Sequence, residues 1–252
     1  MTDDLFPHLP KDEIIAAFKR SPGNELGSGK FSSEESSAAL AANTFGLFIN
    51  RSRDLPAIPG TEDCGWPATY VGLEECAPFP WWPRGRHPWL DAFVETYSHI
   101  IGIESKRYEP YRSKSTGKFS KTYWRDVWGE GMAPFERIRD RLARGDISFQ
   151  RIDAVQLVKH AFGLRTEGRR RGKAAVLVYL YAEPETWGNG KLVNHDDKKV
   201  HAQEAERFAS EVAGADVAFR ICTYRNLLKA LRETSDTGLC HHADMIEARF
   251  QP

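Results

Sequence analysis

The sequence predicts an α/β fold in which a mixed central sheet is flanked by helices. Three observations lead there. The chain has 252 residues, 41% of them hydrophobic and 28% charged, which is enough to bury a substantial core. Its hydrophobic patterning runs in the order helix, three strands, helix, strand. No internal repeat or low-complexity tract points to a solenoid instead.

Each element has its own signature. In Phe31–Asn43, Ser32 followed by Glu35 forms a capping box, and the apolar positions continue through Leu40, Phe45 and Leu47, predicting the first core helix. Thr69–Glu75 reads as a strand and the Pro/Trp-rich residues 78–88 as a loop. Trp89–Thr96 and His99–Lys106 read as two strands joined by a tight turn at Tyr97-Ser98. Helices are expected near 134–144, 149–163, 199–213 and 225–233, with strands at 174–184 and 216–224. The organisation predicted is an N-terminal extension over 1–30 and a single domain over 31–252 that ends in β/α additions.

The composition excludes several classes. No apolar run approaches the roughly 20 residues of a membrane span, and the opening MTDDLFPHLPKDE lacks the basic flank and apolar stretch of a leader, so a cytoplasmic protein is expected. Cys64, Cys76, Cys222 and Cys240 form no CxxC pair and are expected to be reduced and mostly buried. Thirty-five basic side chains balance thirty-five acidic ones, but unevenly. Residues 1–104 carry 8 basic and 15 acidic groups (−7), residues 105–173 carry 18 and 8 (+10), and residues 174–252 carry 9 and 12 (−3). Within the basic third, Arg107, Arg112, Lys114, Lys118, Lys121 and Arg125 alternate with Tyr108, Tyr111, Phe119, Tyr123 and Trp124 against a lone Glu109. Cations neutralise phosphates and rings stack on bases, so this segment predicts a nucleic-acid surface. A second basic cluster, Arg165, Arg169, Arg170, Arg171 and Lys173, reads equally well as a solvated loop.

Strand alternation puts Glu104 and Lys106 on one face of HIIGIESK, and Ile103 and Ser105 on the other. A Glu-x-Lys triplet alone is an ordinary surface pair. Here the preceding IIGI makes the strand mostly buried, where charges are costly unless paired or metal-bound. Asp91 opens the preceding strand, and hairpin register can bring its carboxylate beside Glu104. Two carboxylates and the Ser105 carbonyl would offer hard oxygen ligands to Mg²⁺, with Lys106 stabilising charge as a phosphodiester is hydrolysed.

The order Asp91, then Glu104-Ser105-Lys106, within a helix, three strands, helix, strand frame, resembles the PD-(D/E)XK nuclease superfamily, the restriction-endonuclease-like αβββαβ core. More narrowly, residues 32–46, 90–95, 101–111 and 153–164 resemble bacterial restriction-endonuclease-like proteins, the likeness covering roughly residues 31–182. Leu90 stands where the motif often has proline. The resemblance implies a metal-dependent DNA endonuclease of bacterial defence or DNA processing, using Mg²⁺ with Mn²⁺ as a substitute. Asp91 and Glu104 would be its ligands and Lys106 the catalytic lysine. Gln156 matches a glutamine often found near such sites, and Lys159 and His160 would reach phosphate or water. Family members also recruit a glutamate from the first helix or strand, which makes Glu34, Glu35, Glu74 and Glu75 candidates, Glu74 or Glu75 foremost.

Other readings compete. Gln156–His160 also fits the polar edge of an amphipathic helix, and Trp81-Trp82-Pro83 with Trp89 fits the cover of a core edge as well as a wedge against DNA. Gly188-Asn189-Gly190 reads as a hairpin turn, and no phosphate-cradling glycine motif occurs. His195-Asp196-Asp197 and His241-His242 lack the spacing of paired metal ligands and read as a turn and a surface tail, which weakens a His-Asp phosphohydrolase alternative. A nuclease-fold module that binds nucleic acid without cutting it, beside an unidentified protein partner, remains the main rival. A homodimer is compatible with double-strand cutting, which often pairs two active sites.

Overall fold

The structure, a computed structural model, describes residues 2–112 and 117–252. The expected mixed sheet is present, with its αβββαβ order. After a first helix α1 (Lys11–Arg20) comes α2 (Ser37–Phe45), followed by β1 (Tyr70–Cys76), β2 (Trp89–Glu95) and β3 (His99–Lys106). The chain continues through α3 (Ala133–Arg144), α4 (Ala154–Arg171), β4 (Ala174–Tyr181), α5 (His195–Glu211), β5 (Val217–Thr223), α6 (Tyr224–Arg232) and α7 (Thr237–Phe250). The sheet order is β1-β2-β3-β4-β5. The first three strands form an antiparallel meander, and β3, β4 and β5 run parallel.

Two apolar layers sandwich this sheet. On one side Ala92, Val94, Ile101, Ile103, Val176 and Val178 meet side chains of α2, α6 and α7, joined by Leu5, Phe6, Leu9, Ile14 and Phe18 from the N-terminal thirty residues. On the other, Phe93, Ile100, Leu177 and Tyr179 meet α3, α4 and α5. The Pro/Trp-rich connection between β1 and β2 joins the second layer, where Phe79 packs against Trp81, Tyr123 and Trp128. All four cysteines are free thiols, with Cys64 and Cys222 buried.

Helix boundaries differ from expectation where caps decide them. The first core helix starts at Ser37, because the Ser36 hydroxyl accepts the Ala39 N–H at 3.0 Å. The capping box at Ser32 and Glu35 does not form: Ser32 donates to Asp4 at 2.6 Å, and Glu35 binds Arg112 and the Gly188 N–H. Asp153 caps α4 through the Gln156 N–H at 2.9 Å, so that helix begins later than residue 149. It also runs on to Arg171, placing the second basic cluster largely on a helix, with Arg165 paired to Asp216 and Arg171 to Glu95 and Glu167. His195-Asp196-Asp197 open α5 behind an Asn194 cap. His241 and His242 lie within α7, whose Leu239, Ala243, Ile246 and Phe250 are buried, so the expected surface tail is a packed helix.

Candidate active site

The pleat of β3 distributes its charged end as the alternation implies. Ser105 turns to the α6 side, its hydroxyl 2.6 Å from that of Tyr224. Glu104 and Lys106 turn to the α4 side, where the Lys106 ammonium donates to Oε1 of Glu104 and Nδ1 of His160 stands 3.2 Å from Oε2. The β2–β3 register ends at Ala92↔Ile103, and one step further sets Asp91 opposite Glu104. In place of a further rung, Oδ2 of Asp91 accepts the Ser105 N–H at 2.6 Å, which fixes that carboxylate at the strand end. On β1, Leu73↔Ala92 and Glu75↔Leu90 bracket Glu74, which therefore faces Asp91 across the next strand. Glu74 has φ +49°, a left-handed conformation uncommon for this residue type, and it drops out of the ladder. Three carboxyls thus lie in line across three neighbouring strands.

Their electrostatics follow from crowding in a dry place. Burial, then the neighbouring Glu104, pushes Asp91 up to about 8, only partly offset by Lys106 and the Ser105 N–H. Burial and Asp91 push Glu74 up to about 8 as well. Glu104, 1% exposed, is also raised by burial despite its contact with Lys106. Burial alone would lower Lys106, but Glu104, Asp91 and Glu109 raise it, so it stays an ammonium. Negative charge in surplus explains both trends: one cation serves several carboxylates. Burial and Lys106 drive His160 down to about 3, so its imidazole is neutral and cannot balance Glu104.

These groups line one cavity of about 500 Å³, whose wall includes Glu74, Asp91, Glu104, Lys106, Gln156 and Arg112. It also includes Glu109, Glu25 and Lys30, which the sequence reading did not assign. Glu109 accepts the Arg107 N–H at 2.8 Å and the Ser37 hydroxyl. Its position as the lone acid in a basic segment was a visible signal of a special environment.

A divalent cation suits this chemistry. Oε2 of Glu104 is buried and accepts no hydrogen bond, with only the neutral His160 ring beside it, and Lys106 alone does not keep the adjacent carboxyls ionised. Among the described residues no group of three His, Cys, Asp or Glu side chains is spaced to hold a metal ion. The donor set on offer is therefore two carboxylates completed by backbone carbonyl and water, the pattern of a hard cation that keeps much of its hydration.

Of the remaining sequence candidates, Glu35 also lines this cavity, paired with Arg112, and the others are dispersed. Glu75 lies outside this cavity, accepting the Tyr70 hydroxyl at 2.6 Å. Glu34 lines a separate cavity beside Arg107. Arg107 is 4% exposed; its guanidinium donates to the carbonyls of Glu34 and Phe250 and lies against Tyr108 and Phe250, so its charge serves the interior and not a phosphate. His160 is buried. Lys118, Lys121 and Arg125 are exposed, while Arg112 is exposed but bound to Glu35. Lys159 reaches the Lys118 carbonyl at 3.1 Å and sits over Phe119 and Tyr123. Lys114 lies outside the described residues. Trp81 is packed against Phe79 and Trp128, whereas Trp82 is largely exposed.

The family described as Restriction Endonuclease associating with ARP matches residues 4–249. No curated protein and no solved structure matches the chain.

Proposed function

The chain belongs to the family of restriction endonucleases associating with ARP, and from that premise we propose that it is a metal-dependent DNA endonuclease of the PD-(D/E)XK kind. The observation that carries this reading is the buried Glu104 carboxylate, whose Oε2 accepts no hydrogen bond and has only the neutral His160 ring beside it, set with Asp91 and Lys106 in one cavity. A surface cross-strand pair would not be buried with an oxygen left over, since that arrangement is costly without a compensating cation.

In this reading Asp91, Glu104 and the Ser105 carbonyl would hold Mg²⁺ or Mn²⁺, and Glu74 would reach the ion through its water shell. The bound ion neutralises charge on the scissile phosphate and lowers the pKa of a water. The chain's own groups do the rest. The Ser105 N–H fixes Asp91 in one orientation. Lys106, held protonated, stabilises the negative charge that develops on the phosphate oxygens. Gln156, whose backbone is pinned by the Asp153 cap, presents an amide to a phosphate oxygen or to the attacking water. Neutral His160 backs Glu104 without cancelling its charge. DNA runs along the exposed cations Lys118, Lys121 and Arg125. The family's description names an association with ARP, and we extend that association to this chain; a homodimer would supply the second site for double-strand cutting.

Supercoiled plasmid incubated with the protein in Mg²⁺, Mn²⁺ or EDTA tests the reading. Nicking or linearisation in the metals and none in EDTA is expected. Salt-sensitive binding without cleavage in either metal would replace it with a non-cleaving nucleic-acid-binding module.

A further inference from the structure

Beside the catalytic cavity lies a larger one of about 810 Å³ that no catalytic group uses. Its volume falls in the range of about 300–1,000 Å³ that ligand pockets occupy. The floor is apolar and aromatic, with Phe119, Phe149, Ile152 and Val155, and the rim carries Ser148, Gln150, Asp153 and Lys118. Trp124 forms part of the wall and is 45% exposed. It is nevertheless firmly anchored: its Nε1 donates to Asp140 at 2.8 Å, and the Arg139 guanidinium, itself bonded to the Tyr123 carbonyl, lies 5.3 Å from its ring centroid. An indole held rigid and left open to solvent is a ready stacking surface.

Position relates this cavity to the chemistry. Asp153 lines it while capping α4, and Gln156, whose N–H Asp153 accepts at 2.9 Å, lines the catalytic cavity. One helical turn therefore separates the two. The neighbouring surface carries the exposed cations Lys118 and Lys121 and the Lys159 ammonium over Phe119, a charge pattern suited to the phosphates on either side of an inserted base.

We propose that this cavity receives an unstacked nucleobase of the substrate strand, close to the bond to be cut. The inference rests on the nuclease reading for the identity of the strand. The base lies against Trp124 and Phe119, and its polar edge meets Gln150, Ser148 and Asp153, which between them offer amide, hydroxyl and carboxylate partners. Insertion needs a base free of its duplex neighbours, which favours single-stranded, mismatched or locally opened DNA.

Binding in EDTA tests this without any cleavage. Anisotropy titrations would compare a fluorescein-labelled single-stranded oligothymidylate with a strand of equal length built of abasic deoxyribose phosphate. Wild-type protein is expected to bind the base-bearing strand about tenfold tighter or more, the scale of one base–aromatic stack. Trp124→Ala removes one wall of the cavity, and Ala143→Trp fills it from an exposed position on α3. Both variants should lose most of that preference while binding the abasic strand as wild type does. Equal wild-type affinity for the two strands, a preference retained in both variants, or no binding of either strand would overturn the proposal. Failure of the nuclease reading shows separately, as intact plasmid in every metal.

Discussion

Asp91 and Glu74 share an unusual proton inventory. Asp91 is raised to about 8 mainly by burial, so the folded, metal-free protein retains a proton that the unfolded chain loses near pH 4. Stability from this group is therefore full below about pH 4 and declines as pH rises toward about 8; Glu74, also raised to about 8, acts in the same direction. A cation that displaces these protons competes with them less as pH rises. The increase in Tm produced by Mg²⁺ should accordingly be larger at about pH 8.5 than at about pH 6, and Asp91→Asn should remove most of it. Differential scanning fluorimetry reads this directly, and an increment that shrinks with rising pH would contradict the assignment. The shared face of Glu104 and Lys106 was legible from strand alternation, and the nearness of Asp91 from the hairpin. Choosing Glu74 over Glu75 for the cavity was not, because a left-handed φ in mid-strand shifts the face of one residue and leaves no mark in an alternating pattern.

Among the elements, α4 does most to build the site, bringing Gln156 and His160 against the end of β3. Its close approach depends on Gly163: a Cβ there would stand 2.4 Å from the Ala77 carbonyl oxygen and 2.8 Å from Pro88. Neither that backbone nor a proline ring yields cheaply, so Gly163→Ala should cost about 1–3 kcal/mol or more, seen as a lower midpoint in urea denaturation. An unchanged midpoint would show that the helix docks more loosely than described. The α2 cap offers a smaller test, since Ser36→Ala should cost about 1 kcal/mol through loss of the bond to the Ala39 N–H. Here the sequence misleads for a physical reason. Ser32 and Glu35 have capping spacing, but Asp4 and Arg112, distant in the chain, claim those side chains, while Ser36 takes the cap. The order of elements was readable from periodicity; their ends were set by such long-range partners.

For the molecule as a whole, the sheet changes from antiparallel to parallel at β3, and the carboxylates gather at the end of that strand. The uneven charge of the sequence acquires a spatial meaning there. An acidic cavity holds Glu74, Asp91, Glu104 and Glu109, and exposed Lys118, Lys121 and Arg125 supply positive charge elsewhere on the basic segment. DNA binding should weaken steeply with salt, and removing those three cations together should flatten the dependence of log K on log salt by about two to three. An unchanged slope in fluorescence titrations would place the phosphates on another face. The basic segment was evident in the sequence, but not the inward turn of Arg107 between main-chain carbonyls, since a buried arginine and a phosphate-binding one look alike in composition. Likewise α7, whose apolar residues 239, 243, 246 and 250 share one helical face, was hidden by the polar His241-His242 pair in its midst.

The most direct test separates the groups proposed to hold an ion from the group proposed to act on the phosphate. Mn²⁺ binding followed by electron paramagnetic resonance, together with plasmid cleavage in the same metal, would be measured for wild type, Glu104→Gln and Lys106→Met. The account predicts that wild type binds Mn²⁺ and cuts, that Glu104→Gln loses both, and that Lys106→Met keeps the ion while cleavage falls by about a hundredfold or more, the scale of removing one group that stabilises developing charge. Undiminished cleavage by Lys106→Met, or unchanged Mn²⁺ binding by Glu104→Gln, would contradict it.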